Sequence, residues 1–356
     1  MTMFEQLGLD GWTPVSASVV FGLAIGLTFG FLAQRSRFCL RRGLTGDQHE
    51  RSAALGTWLI ALAVAIAGTA ALTAFELVSF AEHRFHESSL PMGAIIIGGL
   101  LFGAGMFLAR GCASRLTVLA GTGNLRAAMV IIIFAITAHA TLKGAIAPAR
   151  VWLGSFTIDL NGFATLGALP GGILLWSAIA VAVLLAIAAR SGASLRDLAL
   201  GGLIGVLIPI GWLGTGFVLA DEFDPITHES LAFTSAASET LFWWVAGTAI
   251  APGFGVGLFG GVLAGSLLAA LLFSEFRWVG FTANTEITTG RYLTGGILMG
   301  VGGVLAGGCT IGAGLSGVAT LSVSAILALA SIATGALVAQ SIALHTPAVA
   351  LPLPAE

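Results

Sequence analysis

The most regular feature of the sequence is a succession of long apolar stretches separated by short polar segments. A membrane-spanning helix needs about 20 apolar residues, and the pattern predicts nine such spans. They are 15–34, 52–75, 91–109, 125–143, 167–189, 198–219, 241–273, 292–307 and 321–343. The seventh is long and is interrupted by APGFGVG at 251–257, so we expect a short helix followed by a full one.

One segment of fifteen residues occurs twice in the chain. GGLLFGAGMFLARGC covers 98–112 and GGILMGVGGVLAGGC covers 295–309, with nine identical positions and an offset of 197 residues. The first and sixth spans share a weaker similarity, a Gly-x-x-x-Gly spacing. Helices that merely pack closely also have this spacing. The longer repeat, with a cysteine closing each copy, therefore carries more weight as a sign of duplication.

The arginines of the short loops predict the orientation of the chain. Five of them follow the first span, namely Arg35, Arg37, Arg41, Arg42 and Arg51. Basic loops stay in the cytoplasm, whereas the loop 219–240 has acidic residues without Lys or Arg and should be outside. This arrangement predicts an outer N-terminus and a cytoplasmic C-terminus, although Lys143 and Arg150 then fall outside.

The predicted orientation makes the two copies of the repeat cross the membrane in opposite directions. The chain would then consist of two inverted halves, 1–150 and 198–356, with a connecting helix in 151–197. Inverted repeats are typical of transporters, whose substrate site lies near the membrane midplane where the halves meet.

The composition supports a membrane protein. The chain of 356 residues is 57% hydrophobic and 9% charged, with a mean hydropathy of +0.99, whereas soluble domains have about 25% charged residues. These values predict an all-α polytopic protein surrounded by the lipid bilayer. The net charge of -2 and the lack of a Lys/Arg-rich tail argue against nucleic acid as a partner. MTMFEQLGLDGWTP lacks the basic start of a cleaved signal peptide, so the first span should be retained.

A short segment of small residues follows each repeat cysteine, and neither segment is long enough to cross a membrane. We expect a tight turn at Gly111 and at Gly308, then a half-helix that begins at Ala113 or at Thr310. The free N–H groups and the dipole of a helix start favour an anion. Two such starts would form a central anion site lined by Cys112 and Cys309. Alternatively, both are simple turns and the cysteines are small apolar residues.

The third cysteine, Cys39, lies in QRSRFCLRRG at the inner end of the first span. Its neighbours, including Arg37, can be topology markers, or they can form a positive vestibule that attracts anions around an exit thiol. An odd number of cysteines leaves at least one free thiol.

His139, within the fourth span, is a weaker candidate and can equally be a core histidine. The sequence contains no metal-binding pattern of Cys or His, no phosphate-binding loop and no sign of a cofactor.

The segments SRFC, ARGC and GGILMGVGGVLAGGCTIGAGLSGVATLSVSAILALAS resemble the YeeE/YedE family of membrane proteins over nearly the whole chain. The resemblance implies an hourglass-shaped inverted-repeat protein that takes up thiosulfate into the bacterial cytoplasm across the inner membrane. It also implies that the ion is handed along three cysteines, which match Cys39, Cys112 and Cys309, with Cys112 the most critical. Some members act with a TusA-like sulfur-carrier protein. The tail TPAVALPLPAE contains no such domain, so a carrier would be a separate polypeptide.

These observations predict a permease for thiosulfate or a similar sulfur anion, and not an enzyme. Neutral thiols and backbone N–H groups make weak contacts that suit an ion which must also leave. The alternatives are a transporter of another sulfur or selenium species, a membrane sulfurtransferase that uses Cys112, and a structural membrane subunit.

Overall fold

The computed structural model of the chain is almost entirely helical. It describes residue 4 and residues 11–221, 224–280 and 286–345; the side chains of residues 49 and 286–288 are not described. The rest of the N-terminal segment, Glu222 of the acidic loop, and the tail TPAVALPLPAE lie outside the described residues.

Thirteen α-helices of very different length occur in the described part of the chain outside residues 1–10. In order they are α1 (Pro14–Ser36), α2 (Leu40–Thr45), α3 (Gln48–Ala74), α4 (Met92–Leu108), α5 (Ala113–Gly121), α6 (Leu125–Lys143), α7 (Ala147–Gly154), α8 (Gly172–Ala189), α9 (Leu195–Leu213), α10 (Phe233–Ala246), α11 (Phe254–Leu272), α12 (Glu286–Leu305) and α13 (Val323–His345). Short π-helical turns occupy Gly214–Val218 and Gly312–Gly317, and 3₁₀ turns occupy Arg84–His86, Leu166–Ala168 and Val318–Thr320.

Eight helical segments in the described part of the chain are long and apolar enough to cross a membrane. They are Pro14–Thr45, Glu50–Ala74, Met92–Gly121, Leu125–Lys143, Gly172–Ala189, Leu195–Val218, Phe254–Leu272 and Val323–His345. The predicted class, an all-α polytopic membrane protein, is confirmed. The remaining predicted span, 292–307, lies in α12 and is not among these eight. This helix has 20 residues, but its threonines, glycines and Arg291 make it less apolar than the eight.

The predicted interruption of the seventh span is also present. Helix α10 ends at Ala246, and α11 begins at Phe254 after an extended Gly253. Pro252 lies in the linking segment. It has no N–H to donate, so it cannot make the hydrogen bond that would continue an α-helix. The result is a half-length helix followed by a full one.

The two copies of the repeated segment lie directly against each other. A side chain at Gly98 of α4 would meet the backbone N of Ala306, and one at Gly295 of α12 would meet the backbone N of Ala109. Gly295 is the equivalent of Gly98 in the repeat, and Ala306 is the equivalent of Ala109. The contact is thus the same when the copies are exchanged. The copies therefore run in opposite directions about a local two-fold axis.

The other helices of the two halves also pack in equivalent pairs, each helix of one half on a helix of the other. Helix α1 packs on α11, α3 on α9, α4 on α13 and α6 on α12. Glycines bring the backbones together in the first pair, since side chains at Gly22, Gly26 or Gly30 would collide with the backbone of α11. Gly201 and Gly205 of α9 play the same part against α3. The Gly-x-x-x-Gly spacings of the first and sixth spans thus serve helix packing.

Loops contact one another at each of the two ends of the helices. At one face, β1 (Ser89–Leu90) pairs antiparallel with β2 (Ile158–Asp159). At the other, the backbone of Asn124 pairs with Val279, and Arg35 forms an ion pair with Glu275 at 2.9 Å. These contacts join the end of α1 and the loops that follow α5 and α11.

Candidate functional site

All three cysteines follow the same kind of turn. Each lies two positions after a residue in the left-handed conformation that ends a long helix. The pairs are Arg37 (φ 50°) with Cys39, Arg110 (φ 59°) with Cys112, and Gly307 (φ 75°) with Cys309. The left-handed region costs a residue with a Cβ about 1–2 kcal/mol. The predicted turns are present, but in the first copy Arg110, and not Gly111, adopts the strained conformation.

The two copies of the repeat differ in how much space surrounds the glycine before the cysteine and in the helical segment that follows it. A Cβ at Gly308 would lie 2.7 Å from the backbone N of Ala313, so this position needs glycine. At Gly111 its nearest neighbours would be side-chain atoms, of Leu116 at 3.1 Å and of Arg115 at 3.8 Å. Helix α5 begins at Ala113, as predicted. In the second copy the Cys309 carbonyl accepts the N–H groups of Ala313 and Gly314, so a helical segment also starts there, but it continues as a π-helical turn over Gly312–Gly317 and not as an α-helix.

The three thiols are free and buried, and two of them are in contact. The Sγ atoms of Cys39 and Cys112 are 3.9 Å apart, and Cys112 Sγ is 3.3 Å from the Ser114 hydroxyl. Cys309 Sγ accepts a hydrogen bond from the Gly312 N–H at 3.4 Å. All three side chains belong to one apolar cluster at the centre of the molecule. The structure thus brings Cys39 and Cys112 together and places Cys309 on a separate turn.

A cavity of about 460 Å³ opens beside Cys39, and we call it the arginine cavity. Its basic side chains are Arg37, Arg41, Arg42, Arg110, Arg115 and Arg277. Glu50 and Glu275 also line it and pair with Arg42 and Arg35. The six arginines exceed the two carboxylates, so the cavity is strongly positive. Such a surface concentrates anions, as the sequence predicts for the vestibule around Arg37 and Cys39.

A second cavity of about 570 Å³ lies at the opposite face, and we call it the histidine cavity. Its ionisable lining residues are Glu82, His83, Arg84, His228, Glu229 and Glu239. Gly308 and Gly312, which flank Cys309, also line it. The Arg84 guanidinium donates a hydrogen bond to the Gly307 carbonyl at 2.9 Å and so holds the turn before Cys309. The three cysteines therefore lie between two cavities that open on different faces.

Four short helical segments start around this centre. Cys39, Cys112 and Ala232 are the N-terminal caps of α2, α5 and α10, and the Cys309 carbonyl accepts the N–H groups of Ala313 and Gly314. A Cβ at Gly312 would lie 3.1 Å from the Ala232 Cβ and 3.9 Å from Cys309 Sγ. Three of the four starts thus present a thiol, and the fourth presents a methyl group.

Several residues of the histidine cavity were not singled out in the sequence. The acidic loop 219–240 was interpreted only as a topology marker, although Glu229 and Glu239 line the cavity. Trp212, in the segment GWLGTG at 211–216, is buried against His83, with ring centroids 5.2 Å apart. His139 lies apart from the lining residues and hydrogen-bonds the Ser238 hydroxyl at 3.1 Å, as a core histidine can.

The short distance between two free thiols gives a direct test of this geometry. Mild oxidation with diamide should join Cys39 and Cys112 in a disulfide, because their Sγ atoms are 3.9 Å apart and Cys39 borders an open cavity. Mass spectrometry after alkylation should find Cys309 as the single alkylated cysteine. A Cys39→Ser variant is the control and should form no intramolecular disulfide. Alkylation of all three cysteines after oxidation would contradict the pairing.

No group of three or more His, Cys, Asp or Glu side chains among the described residues is arranged to hold a metal ion.

Comparison with known proteins adds a family and two relatives. The sequence model of a family described as "Sulphur transport" (Sulf_transp) matches residues 35–338. The chain is 27% identical over 317 residues to the thiosulfate transporter TsuA of Escherichia coli (strain K12), covering 83% of this chain and 86% of the relative. It is 28% identical over 344 residues to the thiosulfate transporter TsuA of Spirochaeta thermophila, covering 86% and 93%. The family match includes all three cysteines.

Proposed function

The chain belongs to the sulphur transport family, the YeeE/YedE family that its motifs resemble, and we propose that it takes up thiosulfate into the bacterial cytoplasm. The ion passes from the histidine cavity to the arginine cavity, by way of Cys309, then Cys112 and Cys39. The observation that carries the proposal is the position of three buried thiols between two cavities on opposite faces.

The chemistry of the thiols suits thiosulfate, which has a soft terminal sulfur and a sulfonate end. A neutral S–H group donates a weak hydrogen bond to either end. Backbone N–H groups supply further donors, and the Gly312 N–H, which bonds Cys309 Sγ, lies beside this thiol. Weak contacts of this kind allow the ion to leave each position as readily as it arrives. The candidate residues are Cys39, Cys112, Cys309, Arg37, Gly111, Ala113, Gly308 and Thr310.

The buried hydroxyl of Thr310 adds an available donor beside Cys309. Its Oγ1 has no hydrogen-bond partner within the described structure. A buried hydroxyl without a partner costs about 1–3 kcal/mol. An oxygen of the passing ion would satisfy this hydroxyl while the sulfur end lies against the thiol.

The proposed direction follows from the charge of the two faces. The arginine cavity, with its six arginines, is assigned to the cytoplasm by the excess of positive charge in loops on that side. We therefore propose an outer N-terminus and a cytoplasmic C-terminus. Arginines at the inner end also give the released ion a region of favourable potential. A separate TusA-like sulfur carrier would receive the ion there.

The proposed domain organisation is two inverted halves, 1–150 and 198–356, joined by a connector in 151–197. The symmetric contact between α4 and α12 supports it, since Gly98 and Gly295 meet equivalent partners. The exchange of partners among α1, α3, α9 and α11 supports it as well. Helices α7 and α8 occupy the connector region.

The test is uptake of labelled thiosulfate by proteoliposomes that contain the purified chain, with growth on thiosulfate as sole sulfur source in a bacterium without its own uptake systems. The expected result is growth and rapid uptake, with sulfate as the control anion that competes poorly. Uptake of sulfite or selenite in preference to thiosulfate would overturn the substrate. A covalent persulfide on Cys112 during turnover would instead favour a sulfurtransferase.

A further inference from the structure

The histidine cavity has an unexpected charge for the outer end of an anion pathway. Among its described lining residues, three carboxylates stand against one arginine, since Glu82, Glu229 and Glu239 accompany Arg84. The remaining ionisable lining residues are His83 and His228. With ionised glutamates and neutral histidines the cavity repels a dianion. An anion can occupy it at low cost only if this balance changes.

The histidines do not supply the missing positive charge. Burial lowers the pKa of His83 to about 3, and the adjacent Arg84 guanidinium acts in the same direction. Burial also lowers the pKa of His228 and of the nearby His86. These rings are therefore neutral near neutral pH. The carboxylates are the groups left to take up a proton.

Glu229 is the carboxylate best placed to do so. Burial raises the pKa of its carboxyl well above the ordinary value, the nearby Glu239 carboxylate adds to the increase, and Arg84 opposes it. Two like charges in a confined space favour a shared proton. The other charged groups that interact with this cluster are Lys143 of α6, which acts on Glu239, and Glu87, which acts on Arg84. Neither lines the cavity.

The same cavity contains polar atoms that await a ligand. The indole Nε1 of Trp212, the hydroxyl of Thr234 and the Nε2 of His228 are buried without a hydrogen-bond partner. All three side chains line the cavity, and Trp212 is 2% exposed. An indole N–H can only donate. An anion oxygen is the complementary acceptor, so the anion and the carboxylates share one confined space.

We propose that Glu229 and Glu239 form a proton-binding pair, and that a divalent sulfur anion occupies the histidine cavity together with a proton on this pair. The inference rests on the proposed function for the identity of the anion. When the anion arrives, one proton from the solution binds a carboxylate oxygen of the pair. When the anion leaves the cavity, the carboxylate can release that proton. The pair thereby makes occupancy by the anion depend on pH.

The sign of the pH dependence follows from this linkage. The protonated pair binds the dianion and the ionised pair repels it, so affinity is greatest at low pH and falls as pH rises through the pKa of the pair. Binding then takes up about one proton, and the dissociation constant rises by about tenfold per pH unit in that range.

Calorimetric titration of the purified full chain with thiosulfate, in buffers of different ionisation enthalpy, measures both quantities. The parent should take up about one proton per anion. Glu229→Gln and Glu239→Gln should each abolish this uptake and flatten the pH profile, with tighter binding than the parent at high pH. If Glu229 and Glu239 only stabilised the fold, their replacement would not tighten thiosulfate binding at high pH. The control is Glu76→Gln, an exposed carboxylate outside the cavity, which should keep the parent's proton uptake.

The possible failures are distinguishable. Thiosulfate binding without proton uptake at any pH, in a folded parent, overturns the proton-binding pair and leaves the transport proposal standing. No thiosulfate binding at any pH, together with no uptake by proteoliposomes, overturns the proposed function itself. If the glutamine variants fail to fold, the parent's buffer dependence still decides the question.

Discussion

Cys112→Ala should reduce thiosulfate uptake by about 100-fold or more, the largest functional effect expected of a single substitution in this chain. Cys112 is 1% exposed and is the thiol that contacts both Cys39 and the Ser114 hydroxyl. An ion in this apolar centre has already lost its water, so a missing donor leaves part of it unpartnered. That loss costs about 1–3 kcal/mol or more for a charged group.

The measurement is the initial rate of labelled thiosulfate uptake in proteoliposomes with matched protein content. Cys309→Ala should also lose most activity, whereas Cys39→Ala, beside the arginines, should lose less. Cys112→Ser should retain part of the rate, because its hydroxyl still donates a hydrogen bond. If all three alanine variants transport at the parent rate, the cysteines are packing residues and the pathway lies elsewhere.

Gly261→Ala should lower the free energy of unfolding by about 1–3 kcal/mol, although it adds a single methyl group. In α11 the new Cβ would collide with the Leu23 carbonyl and would lie 2.8 Å from the Leu27 backbone N of α1. Two backbones in direct contact cannot accommodate it without moving apart. The adjacent Gly260 has open space at its Cβ position. There, alanine should be neutral or stabilising, since it is the better helix former by about 1 kcal/mol.

Thermal unfolding of the two detergent-solubilised variants, followed by loss of the monodisperse peak in gel filtration, compares them directly. Gly261→Ala should unfold at a lower temperature than the parent, and Gly260→Ala at the same or a higher one. Equal unfolding temperatures for both variants would show that α1 and α11 are not packed backbone to backbone.

The fold could be predicted from the sequence where a local rule was sufficient. The apolar runs are long enough to identify the spans, and the break at 251–257 needs only the proline and glycines printed there. The start of α5 at Ala113 followed from a cysteine, a turn and a short helix-compatible run. The left-handed backbone of Arg37 and Arg110 could not be predicted from the sequence. Glycine is the usual residue in this conformation, and in ARGC the glycine at 111 was the expected position.

The parts of the site that depend on distant contacts could not be predicted in this way. Cys39 and Cys112 are 73 residues apart in sequence, and no local pattern places their thiols in contact. The histidine cavity is formed by His83 and Glu229, which come from separate loops. Each loop by itself shows only a charge balance that predicts orientation. The π-helical form of the segment after Cys309 did not follow either, because its glycines impose little conformational preference of their own.

The glycine contacts between α1 and α11 also restrict how the protein can move. Gly22, Gly26 and Gly30 interlock with the α11 backbone, while Gly257 and Gly261 interlock with that of α1. Sliding these helices past each other would force each backbone over a series of ridges. A rocking motion of one half of the molecule against the other is therefore opposed by the contact surface between α1 and α11. The proposed transport would then proceed through local changes along the pathway, while α1 and α11 keep a fixed register.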